Sequence, residues 1–378
     1  MTAPTVVWHL ADLYSGDLIT PLPIAASDKT RRTLAEDIQV QHTLKAFDRN
    51  CPTNWGEIVT PGRTMLVQTN DGDVVQGWPV IDRRRGDADG NIPLECHTLE
   101  HCMSRENVPD IDGDWDSALL VAELADALIA RFNFIIDATP SGATLVDQNY
   151  SSYTDQDVLS ACTDLMGQAG GPEWRILVRW RPDRSGFEKV LQVAARIGEE
   201  RPDTVFRLDE NGRGNVGTYD IADSFARGQG ATMLIGADDG TGPSGRTMSA
   251  PVFATDEIAE GYPIWEERKI FTNLGDADDL LTQITGLTEG LLPARARGSI
   301  NGTLTVNDGD SPQAGRDYFE GDTVFVDIAP QGQICSDGTF RYSDPDGWQA
   351  KVRVRGFDVD PVTGLANPTL WENPDDAG

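Results

Sequence analysis

The stretch that decides the fold is residues 62–82, GRTMLVQTNDGDVVQGWPVID. Two runs rich in apolar residues flank the dipeptide Asp71-Gly72. An Asp-Gly pair between such runs is a strong hairpin signal, because the tight turn needs residues that tolerate positive φ. The pattern therefore predicts two antiparallel strands, and the run NIPLECHT (91–98) predicts a further short strand.

Composition extends this prediction to the whole chain. The 378 residues exceed one ordinary domain, so two or three domains are expected. Hydrophobic residues make up 39% and there are nine tryptophans, enough for substantial cores. Twenty-two prolines and 38 glycines indicate many turns between short strands.

The charge excludes one large class of function. Lys and Arg total 31 against 61 Asp and Glu, a formal charge of −30. Binding to nucleic acid phosphates or to anionic membranes requires clustered Lys and Arg, so neither is expected. The acidic residues are scattered along the chain and indicate a solvated surface.

Cysteine usage and hydropathy indicate the compartment. Five cysteines, an odd number spread over a long chain, predict no disulfide framework and favour a reducing environment. The start, MTAPTVVWHLADLYSG, has neither a basic nor an apolar signal region, so no signal peptide is predicted. No apolar run approaches the roughly 20 residues of a membrane helix, so no membrane segment is expected.

Changes of pattern divide the chain into four segments. Residues 1–109 are predicted to form a β-barrel-like domain, residues 110–202 an α+β domain, and residues 296–378 a C-terminal β domain. Between them, residues 203–295 form a β-rich segment with a glycine-rich loop (236–249) and one helix. The predicted class is α+β and β-rich, with two similar small β-barrels, an inserted α+β domain and a further helix.

Three helices are predicted from apolar residues at helical spacing. The first lies in 114–132, with Asp114 or Asp116 as N-cap, and its apolar face carries Leu120, Val121, Leu124, Leu128 and Phe132. The second lies in 154–171, bounded by a capping-box pattern and by glycines, and the residues concerned are Thr154, Asp157, Val158, Cys162, Leu165, Met166, Gly170 and Gly171. The third lies in 276–293 and has one face of Leu280, Ile284, Leu287 and Leu291. Gly286 and Gly290 weaken it, and close packing against a sheet is the expected reason.

One motif suggests metal chemistry. Residues 96–102, CHTLEHC, contain H-x-x-E-H (His97, Glu100, His101), the core of one class of zinc peptidase. That site requires a helix, whereas His97 ends a strand-like run, so the two histidines are expected to straddle a strand-to-helix boundary. Neither a helix nor a strand brings these histidines together with Cys96 and Cys102. We therefore interpret the motif as a half-buried strand end and predict no metal ligand, cofactor site or catalytic residue.

Other metal-binding and catalytic motifs are incomplete or absent in the sequence. DIDGDWDSALLV (110–121) spaces its acids like a calcium loop but has Trp115 and Val121 where glycine and glutamate are required. A helix N-terminus decorated with acids explains the run better. Nucleophile-elbow, phosphate-loop and dinucleotide signatures are absent from the sequence.

An ordered series of short motifs carries a family resemblance. LYSGDLITPLP (13–23), the opening hairpin and LECHTLEHCMSRENVP (94–109) resemble the first β-domain of phage tail-hub proteins, the baseplate hub or minor tail proteins of long-tailed actinobacterial phages. Residues 260–296 resemble that family's aromatic-start strand and Leu-rich helix, although Pro263 stands where the family often has glycine. GRDYFEGDTVFVDIAP (315–330) resembles its Tyr-x-x-Gly-Asp-x-Val strand start. The matching residues are Pro61, Gly62, Gly77, Arg105, Pro109, Tyr318, Gly321, Asp322 and Val324.

The resemblance implies a structural virion protein and not an enzyme. It implies a homotrimer at the tail tip, in which two β-barrels per chain form a ring. The distal tail protein or tail tube would lie above, and the tip or spike and other minor tail proteins below. DNA would pass through the lumen without specific binding, and the chain would be made in the host bacterial cytoplasm.

Two alternatives remain open from the sequence. A tail-associated cell-wall hydrolase, zinc peptidase or glycosidase, would need a cleft with bound zinc or paired carboxylates. A host-glycan-binding tail protein would need exposed aromatic faces. The tryptophans are dispersed, which favours places in cores or at interfaces: Trp8, Trp55, Trp78, Trp115, Trp174, Trp180, Trp265, Trp348 and Trp371.

Overall fold

A computed structural model describes most of the chain. The described residues are 5–25, 30–84, 89–153, 156–166, 171–224, 231–238, 240, 246–271, 280–296, 299–307, 312–336, 339–360, 363 and 365–372. Thr154, Gly170, the start of the third predicted helix and most of the centre of the glycine-rich loop lie outside them.

Strands dominate the described chain. In order they are β1 Val6–Asp12, β2 Leu18–Leu22, β3 Thr30–Thr33, β4 Gln39–Lys45, β5 Thr64–Asn70, β6 Asp73–Arg83, β7 Asn91–His97, β8 Ile111–Asp116, β9 Phe134–Ala138, β10 Thr144–Tyr150, β11 Glu173–Trp180, β12 Phe187–Ala194, β13 Glu200–Leu208, β14 Val216–Ser224, β15 Met233–Asp238, β16 Val252–Phe253, β17 Glu266–Phe271, β18 Ser299–Asn307, β19 Thr323–Ile328, β20 Gln331–Ile334, β21 Phe340–Asp344, β22 Trp348–Asp360 and β23 Leu365–Glu372. The helices are α1 Trp55–Ile58, α2 Ser117–Leu124, α3 Ala127–Phe132, α4 Val158–Met166, α5 Thr255–Ala259 and α6 Leu280–Ala296, with a 3-10 helix at Leu99–Arg105. The predicted β-rich α+β class is confirmed.

The opening hairpin organises the N-terminal sheet, whose strand order is β2-β1-β5-β6-β7-β4. Asp71 and Gly72 have φ of 50° and 93°, the left-handed values that this two-residue turn requires. Every residue of β5 is buried, because the strand has a hydrophobic core on each face. Leu66 packs into the core of the N-terminal sheet, and Met65 and Val67 pack into a core shared with the α+β domain.

The α+β domain packs its helices on the sheet β11-β12-β9. Asp116 is the N-cap of α2, accepting from Ala118 N at 3.0 Å and Leu119 N at 3.2 Å. Two expectations were wrong. The acidic run Ile111–Asp116 is a strand, because it pairs with β10. The first predicted helix is two helices, since Asp126 N bonds to Glu123 O, three residues back, and this tighter turn stops the α-helical ladder.

The C-terminal sheet joins distant parts of the chain. Its order is β13-β19-β22-β23-β18-β14, and β3 pairs with β22. Strands β13 and β14 therefore belong to the same sheet as strands more than 80 residues later, and β3 carries the N-terminal segment into that sheet. The division into four segments stays a prediction.

A smaller unit lies between β14 and β18. Helix α6 packs on the sheet β16-β15-β17 through Ile284 and Leu292, which are buried. Close packing does occur here, but it is not at Gly286, and the surroundings of Gly290, the other glycine named, lie outside what the structure describes. Gly286 is exposed, and an added Cβ there meets nothing within 4 Å. The close approach is at Gly236 of β15, which faces Thr288 and Ile284.

Two further features of the described chain are the state of its cysteines and the character of its helices. Cys51, Cys96, Cys102, Cys162 and Cys335, all five within the described residues, are free thiols. Among the helices of the described chain, none has the length and apolar character needed to cross a membrane.

We expect alanine at Gly236 and at Gly286 to shift stability in opposite directions. A Cβ at Gly236 would clash with Thr288 Oγ1 and lie 2.8 Å from Ile284 Cγ2, so Gly236→Ala lowers the free energy of unfolding by about 1–3 kcal/mol. Gly286→Ala raises it by about 1 kcal/mol, because helix propensity improves without a clash. Urea denaturation measures both, and a shared sign would contradict the packing of α6 on β15.

The buried His42 predicts a pH dependence. It lies between Trp8 and Trp78 in the N-terminal core, and burial lowers its pKa from 6.5 to about 4. As pH falls from above 6.5 towards 4, the unfolded chain binds a proton at His42 that the folded chain does not, so the free energy of unfolding falls. From about pH 7.5 to about pH 5, wild type should lose about 2 kcal/mol more than His42→Phe. Denaturant unfolding at both pH values tests this, and an equal loss in both proteins would contradict it.

Candidate functional site

One cluster of metal-binding residue types forms where β7 meets the 3-10 helix. His97 is the last residue of β7, and His101 lies in the following 3-10 helix. The two histidines therefore straddle a strand-to-helix boundary, as the sequence predicted. Thr98 between them fixes the neighbouring segment 36–38. Its Oγ1 donates to Glu36 O at 3.1 Å and accepts from Ile38 N at 3.0 Å. These bonds place Asp37 opposite both histidines.

Asp37 bridges the two imidazoles. Its Oδ1 lies 2.9 Å from His97 Nδ1 and its Oδ2 lies 2.8 Å from His101 Nδ1. The imidazole centroids are 4.2 Å apart. The three side chains are 11–19% exposed, so the cluster is shielded but still reached by solvent. It brings together residues 60 and more positions apart.

The structure corrects part of the interpretation of CHTLEHC. The two histidines do come together, because the chain turns at Thr98, and their acidic partner is Asp37, which lies earlier in the chain. The cysteines do not join them. Cys96 is buried in the core of the N-terminal sheet, and Cys102 in the core shared with the α+β domain. No signal in the sequence singled out Asp37 among 61 acidic residues.

Glu100 does not take the place of a peptidase base. Its side chain is buried, and its carboxyl lies near Thr98, Arg32 and Glu320. Burial raises the pKa of Glu100 to about 7. Since the peptidase chemistry needs this carboxylate beside the metal, the geometry does not support an H-x-x-E-H hydrolase.

A second cluster, which we call the Arg32 junction, joins all the large domains. Arg32 lies on β3, within the C-terminal sheet, and is 3% exposed. Its guanidinium donates to Val75 O of the N-terminal sheet at 2.9 Å, to Ile176 O of the α+β domain at 3.4 Å, and to the buried Glu320 carboxylate. One side chain thus contacts three domains.

Further charged groups extend this junction. Arg353 of β22 pairs with Glu173 of β11 and donates to Ile197 O at 2.8 Å. Arg175 donates to Glu320 O at 2.6 Å. Asp322 is fully buried and accepts from Glu199 N at 2.9 Å and Arg201 Nε at 3.0 Å.

The motif residues named from the family resemblance have structural places. Tyr318 and Asp322 are fully buried, Val324 is 2% exposed, and Gly321 has a φ of 89° beside Ile197. Gly77 of β6 lies against β11, since a Cβ there would be 2.9 Å from Val178 Cγ2. Tyr318 and Val324 thus belong to the core of the C-terminal sheet, whereas Gly77, Gly321 and Asp322 lie where separate parts of the chain meet.

A surface cavity of about 800 Å³ has several acidic side chains in its lining, so it bears on the glycosidase alternative. It lies beside β14 and is lined by Tyr219, Asp220, Asp344, Asp346 and Trp348, among others. Asp344 accepts from Tyr219 Oη at 2.9 Å and, through its other oxygen, from Gly347 N at 3.0 Å. Burial and this carboxylate raise the pKa of Tyr219 to about 12. Asp344 thus has a turn-forming role.

The fold is that of phage tail proteins. The chain is similar over 97% of its length to a prophage tail protein gp18 from Listeria monocytogenes EGD-e, with TM-score 0.55, 12% identity and 94% of that chain covered. It is likewise similar to the 43 kDa tail protein of prophage MuSo2 from Shewanella oneidensis, with TM-score 0.55, 14% identity and 97% and 98% coverage. A tail protein from Neisseria meningitidis MC58 gives TM-score 0.53 at 12% identity, with 97% of each chain covered. No family model and no curated protein matches the sequence.

We expect the Arg32–Glu320 pair to show strong coupling. Arg32→Met or Glu320→Leu alone leaves a buried charge without its partner and lowers the free energy of unfolding by about 3–5 kcal/mol. The double variant recovers most of this loss, because apolar side chains replace both charges. The matched control is the exposed pair Lys351–Glu200, with both side chains more than half exposed, whose removal changes stability by about 1 kcal/mol or less. Losses that simply add in the Arg32/Glu320 double variant would contradict the junction.

Proposed function

We propose that this chain is a structural component of a phage tail. The observation that carries the proposal is the likeness over nearly the full length of both chains to three tail proteins. A local likeness would fit a shared module, whereas this one covers 97% of the chain. The described clusters also fit a structural role, since their charged groups join domains and Glu100 lies away from the histidines.

Within the tail, we place the chain at the hub. Three copies would form a ring at the tail tip, with the distal tail protein or tail tube above and the tip, spike and other minor tail proteins below. Each chain has two antiparallel-dominated sheets of six and seven strands, each with its own core. Two such units in each of three chains give six similar positions, which suits contact with a sixfold tube.

The charge supports a role in guiding DNA. Three chains at −30 each carry −90, and duplex DNA carries about one negative charge per 1.7 Å. If acidic side chains line the channel, they repel DNA in transit and prevent it from adhering. This proposal fails if the channel wall of the assembled ring is neutral or basic.

An exposed apolar face offers a surface for assembly. Helix α6 covers one face of the sheet β16-β15-β17. Phe253 lies between Val252 and Ala254, and Ile270 precedes Phe271, and these neighbours belong to the core under α6. Because side chains alternate along a strand, Phe253 and Ile270 point to the opposite face of the sheet. There they are 42% and 45% exposed. Exposed apolar patches of this kind mark interaction sites.

We expect the purified chain to form a trimer that depends on this face. Native mass spectrometry should show three times the 41.1 kDa chain mass. The double variant Phe253→Ser/Ile270→Ser should give monomer, and Tyr153→Ser, a 90% exposed aromatic in the α+β domain, should stay trimeric. A monomeric wild type would contradict the ring, and a trimer unaffected by the double variant would contradict the choice of face.

A further inference from the structure

We propose that Asp37, His97 and His101 bind one divalent transition-metal ion of the Zn²⁺ class. The inference is independent of the function proposed above, because it uses only local chemistry. Two imidazoles and one carboxylate are the ligand types that Zn²⁺ and similar ions prefer. Among the described residues, they form a group whose ligand atoms all lie within 4.8 Å of one another.

The ligand atoms are close enough to one another to share one ion. Ligands with metal bonds of 2.0–2.2 Å lie about 3.3 Å apart at the tetrahedral angle. The two Asp37 oxygens lie 2.9 Å and 2.8 Å from the Nδ1 atoms of His97 and His101. Small outward movements therefore make room for an ion. A water would complete four-coordination on the exposed side.

The backbone fixes these ligands before any ion arrives. Gln39 of β4 pairs with His97 of β7, which holds the segment before β4 beside the end of β7. Thr98 N donates to Ile38 O at 3.0 Å, and the Thr98 hydroxyl adds the two bonds described above. Preorganised ligands lose little conformational entropy on binding, which favours affinity. The bound ion would tie segment 36–38 to the corner between β7 and the 3-10 helix.

Arg105 competes with the ion. Its Nε donates to His101 Nε2 at 3.2 Å. A guanidinium cannot accept a hydrogen bond, so Nε2 is the acceptor and the proton of neutral His101 is on Nδ1, where it is donated to Asp37. An ion on Nδ1 requires the other neutral tautomer of His101, so the ring gives up the proton at Nδ1 and takes one up at Nε2 from solvent, with no net change in its proton count. Two donors would then face each other, and Arg105, whose side chain is exposed, must move away.

This competition gives the proposal a test that a simple hydrogen-bonded cluster does not share. Arg105→Gln removes the positive charge and supplies an amide oxygen that can accept from Nε2–H of the loaded site. Zn²⁺ affinity should rise roughly tenfold, the scale on which partners of ligating histidines act. Without metal, Arg105→Gln loses a hydrogen bond and should not gain stability.

The experiment is Zn²⁺ titration of the full chain, with native mass spectrometry for stoichiometry and competition with a chromophoric chelator for affinity. Wild type should bind one ion per chain, and Co²⁺ in its place should give visible d–d absorption. Asp37→Asn and His101→Gln should each lose affinity by roughly tenfold or more. The control is Glu36→Gln, which removes the same charge one residue away at an exposed position and should bind as wild type does.

Circular dichroism of the metal-free variants separates lost ligands from lost fold. The proposal is overturned if wild type takes up no stoichiometric ion, or if folded Asp37→Asn and His101→Gln bind as tightly as Glu36→Gln. A fall in affinity for Arg105→Gln would overturn the competition. In either of the first two cases Asp37 is an acceptor for two histidines only.

Discussion

The structure depends on one buried guanidinium. Arg32 is on a four-residue strand that leaves the N-terminal domain and pairs with β22, about 320 residues later. From there it contacts the N-terminal sheet, the α+β domain and Glu320. Burying a charge is costly unless it is paired and hydrogen-bonded. Because its partners come from three domains, the cost is offset only when all three are in place.

Neighbouring charged side chains also contact groups from distant parts of the chain. Arg175 and Arg32 both lie over the ring of Phe319, at 6.0 Å and 5.8 Å from its centroid. Arg353 joins the C-terminal sheet to Glu173 of the α+β domain. The segment 318–322, which resembles a tail-hub motif, supplies Glu320 and Asp322 to the same junction. This motif is therefore informative about the fold although it carries no catalytic residue, because Glu320 pairs with Arg32 and Asp322 accepts from Glu199 N.

Local features were predictable from the sequence. The Asp71-Gly72 hairpin and the helices α2 and α4 follow from turn residues and apolar periodicity, which act over a few residues. The glycine that lets α6 pack closely on its sheet was not predictable from the sequence. Gly286 and Gly236 are both compatible with close approach, and only the position of α6 on its sheet decides between them.

Long-range pairings account for what the sequence did not reveal. Nothing in TRRT (30–33) indicates that it crosses to another sheet, since a four-residue strand has too little pattern to identify its partner. The acidic segment β8 forms a strand because it pairs with β10, although the sequence of β8 is typical of a helix N-terminus. Asp37 meets His97 and His101 for the same reason, through the pairing of β4 with β7.

We propose that this chain is a structural part of a tail, held in one arrangement by the Arg32 junction. Cryo-electron microscopy of purified virions that encode the chain would show its place in the particle. We expect three copies in a ring at the tail end remote from the capsid, each with Arg32 in contact with Glu320. Absence of the chain from the virion, or a place in the capsid, would contradict it.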